Sequence, residues 1–182
     1  MNTEQLNELL IDEIKDIYHA EKQLVKALPK IAKACDSEEL AECVKAHLAE
    51  TQAQVTRLEK VFELLNTPAK GKPCKGMQGL IEEGNEAIED QDAGPVRDLA
   101  IIGAAQRVEH YEISAYGTAR AIAEQVGNSQ VAKLLLQTEN EEKATDEKLS
   151  EVAKVIYASE DEEEAEPVLA GNSRSRRSSG RK

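Results

Sequence analysis

The chain has 182 residues, 40% of them hydrophobic and 32% charged, with no Trp, one Phe and four Tyr. That is long enough for one domain with an aliphatic core, and its wealth of Ala, Leu, Glu, Lys and Gln points to helices rather than a sheet, excluding collagenous, mucin-like and wholly disordered chains. A formal charge of −12 argues against nucleic acid or anionic membrane as the main ligand of the body.

In chain order, Thr3 is placed to cap a first helix running to about Ala34, with a kink expected at Pro29. Asp36 and Glu39 have capping-box spacing and open a second helix that stops before Asn66-Thr67-Pro68. Residues 66 to 95 form a connection punctuated by Gly71, Pro73, Gly76 and Gly79. It carries a short amphipathic piece (Met77, Leu80, Ile81, Ile88) and closes at Gly94-Pro95. A third long helix runs from Val96 to Gly127-Asn128, and a fourth follows Ser129 to about Tyr157. The short gaps near residues 35 and 128 make two antiparallel hairpins, whereas the connection between them is long enough to return along the whole bundle. The expected fold is all-α: a four-helix bundle over residues 1–158 with one long crossover containing a short helix, the connectivity of ferritin-like folds.

Residues 159–182 read as a disordered tail, acidic from Glu160 to Glu164 and then basic through Arg174, Arg176, Arg177, Arg181 and Lys182. Any contact with nucleic acid is expected through this tail. Cys35, Cys43 and Cys74 lack metal or disulfide spacing and read as reduced thiols. The opening MNTEQLNELL has no signal-peptide pattern, and the apolar stretch Leu99 to Ala105 is too short to span a bilayer, so a cytoplasmic protein with no membrane contact is expected.

Each long helix carries an apolar stripe at spacings of three and four. The first reads Leu10, Ile14, Ile17, Glu21, Leu24, Leu28, Ile31. The third contains Ala105, Glu109, Glu112, Tyr116, Ala119, and the fourth Leu135, Thr138, Glu142, Thr145, Leu149. For the second helix two registers are open, one through Cys43, His47, Glu50, Gln54 and Arg57, the other through Val44, Leu48, Thr51, Val55 and Leu58. Glu21, Glu50, Glu109, Glu112 and Glu142 all interrupt the stripes within about 3 Å of mid-helix, at one level of the bundle. An uncompensated charge there costs several kcal/mol, and Arg57 is the chief cation on these stripes. Hard divalent or trivalent cations with oxygen ligands are the economical compensation, and two ions sharing carboxylates suit this many acids. An internal repeat agrees: YHAEKQL aligns with EHYEISA, pairing Glu21 with Glu112, and HLAETQAQ with ENEEKATD, pairing Glu50 with Glu142 and Gln54 with Asp146. We read His47, His19 and His110 as structural, and Tyr116 as packed in its seam. The exposed-stripe residues Leu48, Val55, Phe62, Leu134 and Leu136 either widen the core or complete a dimer.

The segments DIYHAEKQLVKALPKIA, HLAETQAQVTRLEKVFELL, VEHYEISAYGTA and LLLQTENEEKATDEKL resemble the YciE/YciF family of bacterial ferritin-like proteins, often labelled ferroxidases. The resemblance spans residues 3 to 157. It implies a dinuclear iron centre, homodimerisation and a stress-associated role. It makes Glu21 and Glu112 terminal carboxylates and Glu50 and Glu142 bridging ones, with Gln54 and Asp146 one turn later and Glu109 as an additional ligand. A paired Glu-x-x-His centre would place His at 53 and 145, where this chain has Ala53 and Thr145. Two alternatives stand beside ferroxidase chemistry: a manganese, catalase-like centre, and a non-enzymatic dimeric stress or scaffold protein.

Overall fold

Helix formation begins at Asn2, whose side chain accepts the Glu4 N–H at 2.9 Å, one position before the expected cap at Thr3. From there α1 (Thr3–Ala34) runs through Pro29, which lies on its exposed side. The second cap also shifts by one residue. Ser37 Oγ accepts the Leu40 N–H and opens α2 (Glu38–Leu64), while Asp36, the expected cap, has a long-range partner. Its carboxylate accepts the Gly94 N–H at 2.6 Å and pairs with Arg97. Cys74 Sγ accepts the Met77 N–H at the start of α3 (Lys75–Glu89), the short helix of the crossover. Gly94, at φ +139°, leads into α4 (Pro95–Gln125), and Gly127, at φ +77°, turns the chain toward α5. The Asn128 side chain accepts the Val131 N–H and caps α5 (Ser129–Ala165). This helix continues beyond the expected end at Tyr157, because Glu and Ala favour helix and no breaker precedes Pro167.

The computed structural model describes residues 2–165, with side chains as far as Ser159. The basic part of the tail lies outside them. Among the described residues no helix is long and apolar enough to cross a membrane.

The short loops make α1·α2 and α4·α5 the two hairpins. They meet through α1 against α4 and α2 against α5, which sets the four long helices around a square, and α3 lies outside it on α4 and α1. The all-α bundle with one long crossover containing a short helix is therefore as expected. The crossover is tied down by polar contacts: Lys72 N–H donates to Lys15 C=O and its Nζ pairs with Asp12, and Tyr111 Oη contacts Cys74 Sγ and donates to Asp16.

The apolar core falls into two clusters. One gathers Leu24, Leu28, Leu40, Val44, Met77, Ile101, Leu149 and Val152, and the other Leu10, Ile14, Ile17, Leu58, Phe62, Tyr116, Val131 and Leu135. Phe62 is buried, and Leu48, Val55 and Leu134 pack partly buried against these clusters, so they widen the core. Leu136 stays 40% exposed.

Asp98 of α4 joins the two halves of the chain from a nearly fully buried position: its two carboxylate oxygens accept the Asp36 N–H at 2.9 Å and the Ser37 N–H at 2.6 Å. Replacing it leaves two backbone donors at a helix start without partners. Asp98→Ala is expected to lower unfolding free energy by about 1–3 kcal/mol in urea denaturation, with helical content unchanged at zero denaturant.

Candidate metal centre

Between the two apolar clusters lies a layer of buried polar side chains. α1 contributes Glu21, α2 contributes His47, Thr51 and Gln54, α4 contributes Glu109 and Glu112, and α5 contributes Glu142 and Thr145. Each reaches the interior because it occupies a core-facing position of an otherwise apolar stripe. Glu21, Glu112 and Glu142 are 0–1% exposed. His47, Glu109, Glu112 and Glu142 each bring one potential ligand atom within 4.8 Å of the others. Glu21 adjoins them and accepts a short hydrogen bond from Tyr116 Oη. Gln54 Nε2 donates to Glu142 at 2.5 Å and to Glu141 at 3.2 Å.

Most of these groups lack a full set of partners. Among the described residues, the buried side-chain atoms without a hydrogen bond are Glu21 Oε2, both ring nitrogens of His47, Gln54 Oε1, Glu109 Oε2, both oxygens of Glu112, Glu142 Oε2 and one atom elsewhere, Arg97 Nε. Buried polar atoms are normally paired, because leaving one unpaired costs about 1–3 kcal/mol. Their concentration in one layer, converging from all four long helices, fits a bound cation with oxygen and imidazole ligands. The candidate protein cation is diverted: Arg57 forms a bidentate pair with Glu141 at 2.7 and 2.9 Å and also donates to Thr138.

Burial pushes the carboxyls of Glu21, Glu109 and Glu112 well above the usual carboxylate range, and their mutual repulsion and that of Glu142 add to the effect. Burial likewise raises Glu142 to about 7, with hydrogen bonds from Glu109 and Gln54 pulling the other way. Burial lowers His47 to about 4, so at neutral pH its contact with Glu109, 3.4 Å from Nε2, is made by a neutral imidazole. Glu141 behaves oppositely: partial burial would raise it, but hydrogen bonds from Arg57, Gln137 and Gln54 hold it below the usual range.

The family model described as a domain of unknown function, DUF892, matches residues 5–162. The chain belongs to this family. YciF of Escherichia coli K12 is 48% identical to the DUF892 chain over 154 residues, covering 84% of it and 93% of YciF. The crystal structure of YciF, described as an E. coli stress protein, superposes at a TM-score of 0.81 with 47% identity, covering 84% of this chain and 97% of that one. The structure of YcfI from Rhodopseudomonas palustris gives a TM-score of 0.78 at 41% identity, covering 80% and 92%. These similarities bear out the YciE/YciF resemblance read from the four sequence segments.

In the DUF892 chain the structure brings together Glu21, Gln54, Glu109, Glu112 and Glu142 of the residues singled out from sequence. Glu50 and Asp146 border the buried layer without being buried in it, Glu50 near enough to act on Glu142 and Asp146 on Glu109. Glu50 is exposed and lines a depression of about 400 Å³ between α2 and α5, whose rim also carries Gln137, Asn140, Glu141 and Lys148 and whose lining includes His47. Asp146 is partly buried, accepts from Gln106 at 3.0 Å and lies 3.5 Å from the exposed His110. α2 adopts neither sequence register alone: it buries Cys43, His47 and Gln54 from one and Val44, Thr51 and Leu58 from the other, which leaves Glu50 on the edge of the buried face. That rotation also makes His47 a member of the layer, against its reading as structural. Its signal in the sequence was its place one turn before Glu50 on the polar register.

These shifts set the pH dependence of metal-free stability. Acids raised in the folded state bind protons that the unfolded chain has released, so stability declines as pH rises from about 4.5 through the Glu142 value of about 7 and beyond. His47, lowered to about 4, works in the opposite direction between about 4 and 6.5, but it is one group against several. Thermal unfolding of chelator-treated protein is expected to show a lower midpoint at about pH 8 than at about pH 5, and Glu112→Gln is expected to flatten that decline.

Proposed function

We propose that the buried layer is a dinuclear iron centre and that the protein oxidises Fe(II) with dioxygen or peroxide in a bacterial stress response. The observation that carries this reading is the convergence of unpartnered carboxylate and imidazole atoms from four helices in a water-poor layer. Glu21, Glu109, Glu112 and Glu142 would supply oxygen donors and His47 a nitrogen donor. Burial keeps this imidazole in its neutral, metal-ligating form. Such a donor set suits iron or manganese. Iron held there would supply the redox chemistry, two Fe(II) giving the two electrons that, with two protons, convert one dioxygen to hydrogen peroxide.

The chain's own residues have definite tasks in this scheme. The layer's carboxyls release protons when a cation takes their place, so uptake is coupled to pH. Tyr116, whose phenol burial holds well above its ordinary value, keeps its proton and orients Glu21 by donating to it. Gln54 fixes Glu142 in the same way. Glu50, on the rim of the depression that His47 lines, is placed to meet an incoming cation before the buried acids do. The stress role is carried over from the description of the E. coli relative. Homodimerisation, implied by the family resemblance, is a proposal that sedimentation equilibrium tests.

Elemental analysis after anaerobic loading with Fe(II), and separately with Mn(II), tests the centre. Wild type is expected to hold about two ions per chain and Glu112→Ala/Glu142→Ala none, with circular dichroism showing the double variant folded. Stopped-flow measurements should then find Fe(II) oxidised faster with protein than in buffer. Dioxygen release from peroxide by manganese-loaded protein would instead favour catalase-like chemistry. Absence of stoichiometric metal would overturn the metal reading and leave a protonated polar layer in a non-enzymatic helical protein.

A further inference from the structure

The core on the α3 side of the acidic layer contains a cavity of about 40 Å³. Its walls come from every helix: Leu24 of α1, Val44 of α2, Leu80 and Gly84 of α3, Ile101 of α4 and Leu149 of α5 are among them. Polar groups enter the lining at His47, Glu109 and Thr145, the residues that belong to the polar layer. The wall residues from α1, α2, α4 and α5 named here are buried, whereas Leu80, Ile81 and Gly84 are half-buried, so the cavity meets the outside beneath the crossover helix.

Size and lining restrict what the cavity can take. An apolar cavity of about 150 Å³ takes up benzene, so this smaller one has room for a diatomic or a single noble-gas atom but not for a ring or an acyl chain. Water and hydrogen peroxide need two or more polar partners each, which this wall offers only at its His47, Glu109 and Thr145 end. Cations are excluded from it by the cost of desolvation. They have a separate approach in the larger polar depression between α2 and α5, which reaches the same His47 and Thr145.

We infer that this cavity is a docking pocket for dioxygen, delivering the gas to the His47 and Glu109 side of the centre while cations arrive through the polar depression. The inference rests on the iron-oxidation reading for the identity of the gas, and on the cavity alone for the binding of a small apolar molecule. It also gives α3 a task beyond connecting the hairpins, since Leu80, Ile81 and Gly84 form the cover over the pocket.

Gly84 offers a way to fill the space. A Cβ built there lies 3.9 Å from Ala104 Cβ, an ordinary contact, so the first carbon of a side chain is accommodated at this lining position. Leu also favours helix over Gly, which protects folding of the variant. Ala104→Leu adds volume at the adjoining lining position on α4. Xenon-129 NMR on the metal-free wild-type chain is expected to show a saturable shift that Gly84→Leu and Ala104→Leu abolish. No saturable shift in the wild type, or one that both variants keep, overturns the pocket. In stopped flow, both variants are expected to slow ferrous oxidation by dioxygen several-fold and to leave oxidation by hydrogen peroxide unchanged. Equal rates with dioxygen in wild type and variants, or equal slowing with both oxidants, overturns the assignment to dioxygen even where xenon binds. A wild-type protein that takes up xenon but does not oxidise Fe(II) overturns the iron reading and with it the identity of the gas, leaving the cavity as a site for a small apolar molecule.

Discussion

Burying several carboxyl groups in one dry layer is the constraint around which this bundle is organised. Glu21, Glu109, Glu112 and Glu142 sit where each helix would ordinarily place Leu or Ile, and the nearest guanidinium, Arg57, is committed to Glu141. Two apolar clusters, one on either side, hold the acids in place. Their burial energy offsets the cost of the layer, because apolar side chains gain roughly 1.5–3 kcal/mol each when fully buried. Burial raises the affinity of these acids for protons, and many of their oxygen atoms are left without partners.

A layer of this kind makes stability and ligand binding the same question. A cation that binds the folded chain and not the unfolded one adds its binding free energy to folding. The helices must nevertheless reach the layer in register before any cation arrives. Contacts at the bundle end and along the crossover do this work: Asp98 and Asp36 lock the α1–α2 turn to the start of α4, and Lys72, Cys74 and Tyr111 fasten the crossover. These contacts hold the helices in register around the buried polar layer.

The two hairpins resemble each other in sequence, yet their half-sites differ in space. Glu21 and Glu112 are both buried and agree with the repeat. Glu142 is buried and its counterpart Glu50 is exposed; Gln54 is buried and its counterpart Asp146 is only partly so. The cause is the rotation of α2, whose buried face has to satisfy Val44, Leu58 and Phe62 as well as Cys43 and Val61. Packing of five apolar residues outweighs the placement of one carboxylate. The asymmetry brings His47 into the layer and leaves an acidic side chain at its solvent approach.

Local patterns in the sequence determined much of this protein. Apolar spacing and turn residues specified four long helices, a short crossover helix and two hairpins, because helix periodicity and the conformational demands of Gly, Pro and Asn act over a few residues. Mid-helix acids on apolar stripes likewise marked the level of the candidate centre, since a charge in that position is costly in any bundle. What only the tertiary structure decided depends on groups far apart in the chain. The rotation of α2 is set by packing against α1 and α5, Asp36 is drawn from its own helix start to the backbone before α4, and the pocket beside His47 exists because α3 folds back over Ile101, Ala104 and Leu149. Each is a balance among neighbours that meet only when the bundle closes, and neither spacing nor composition records that balance.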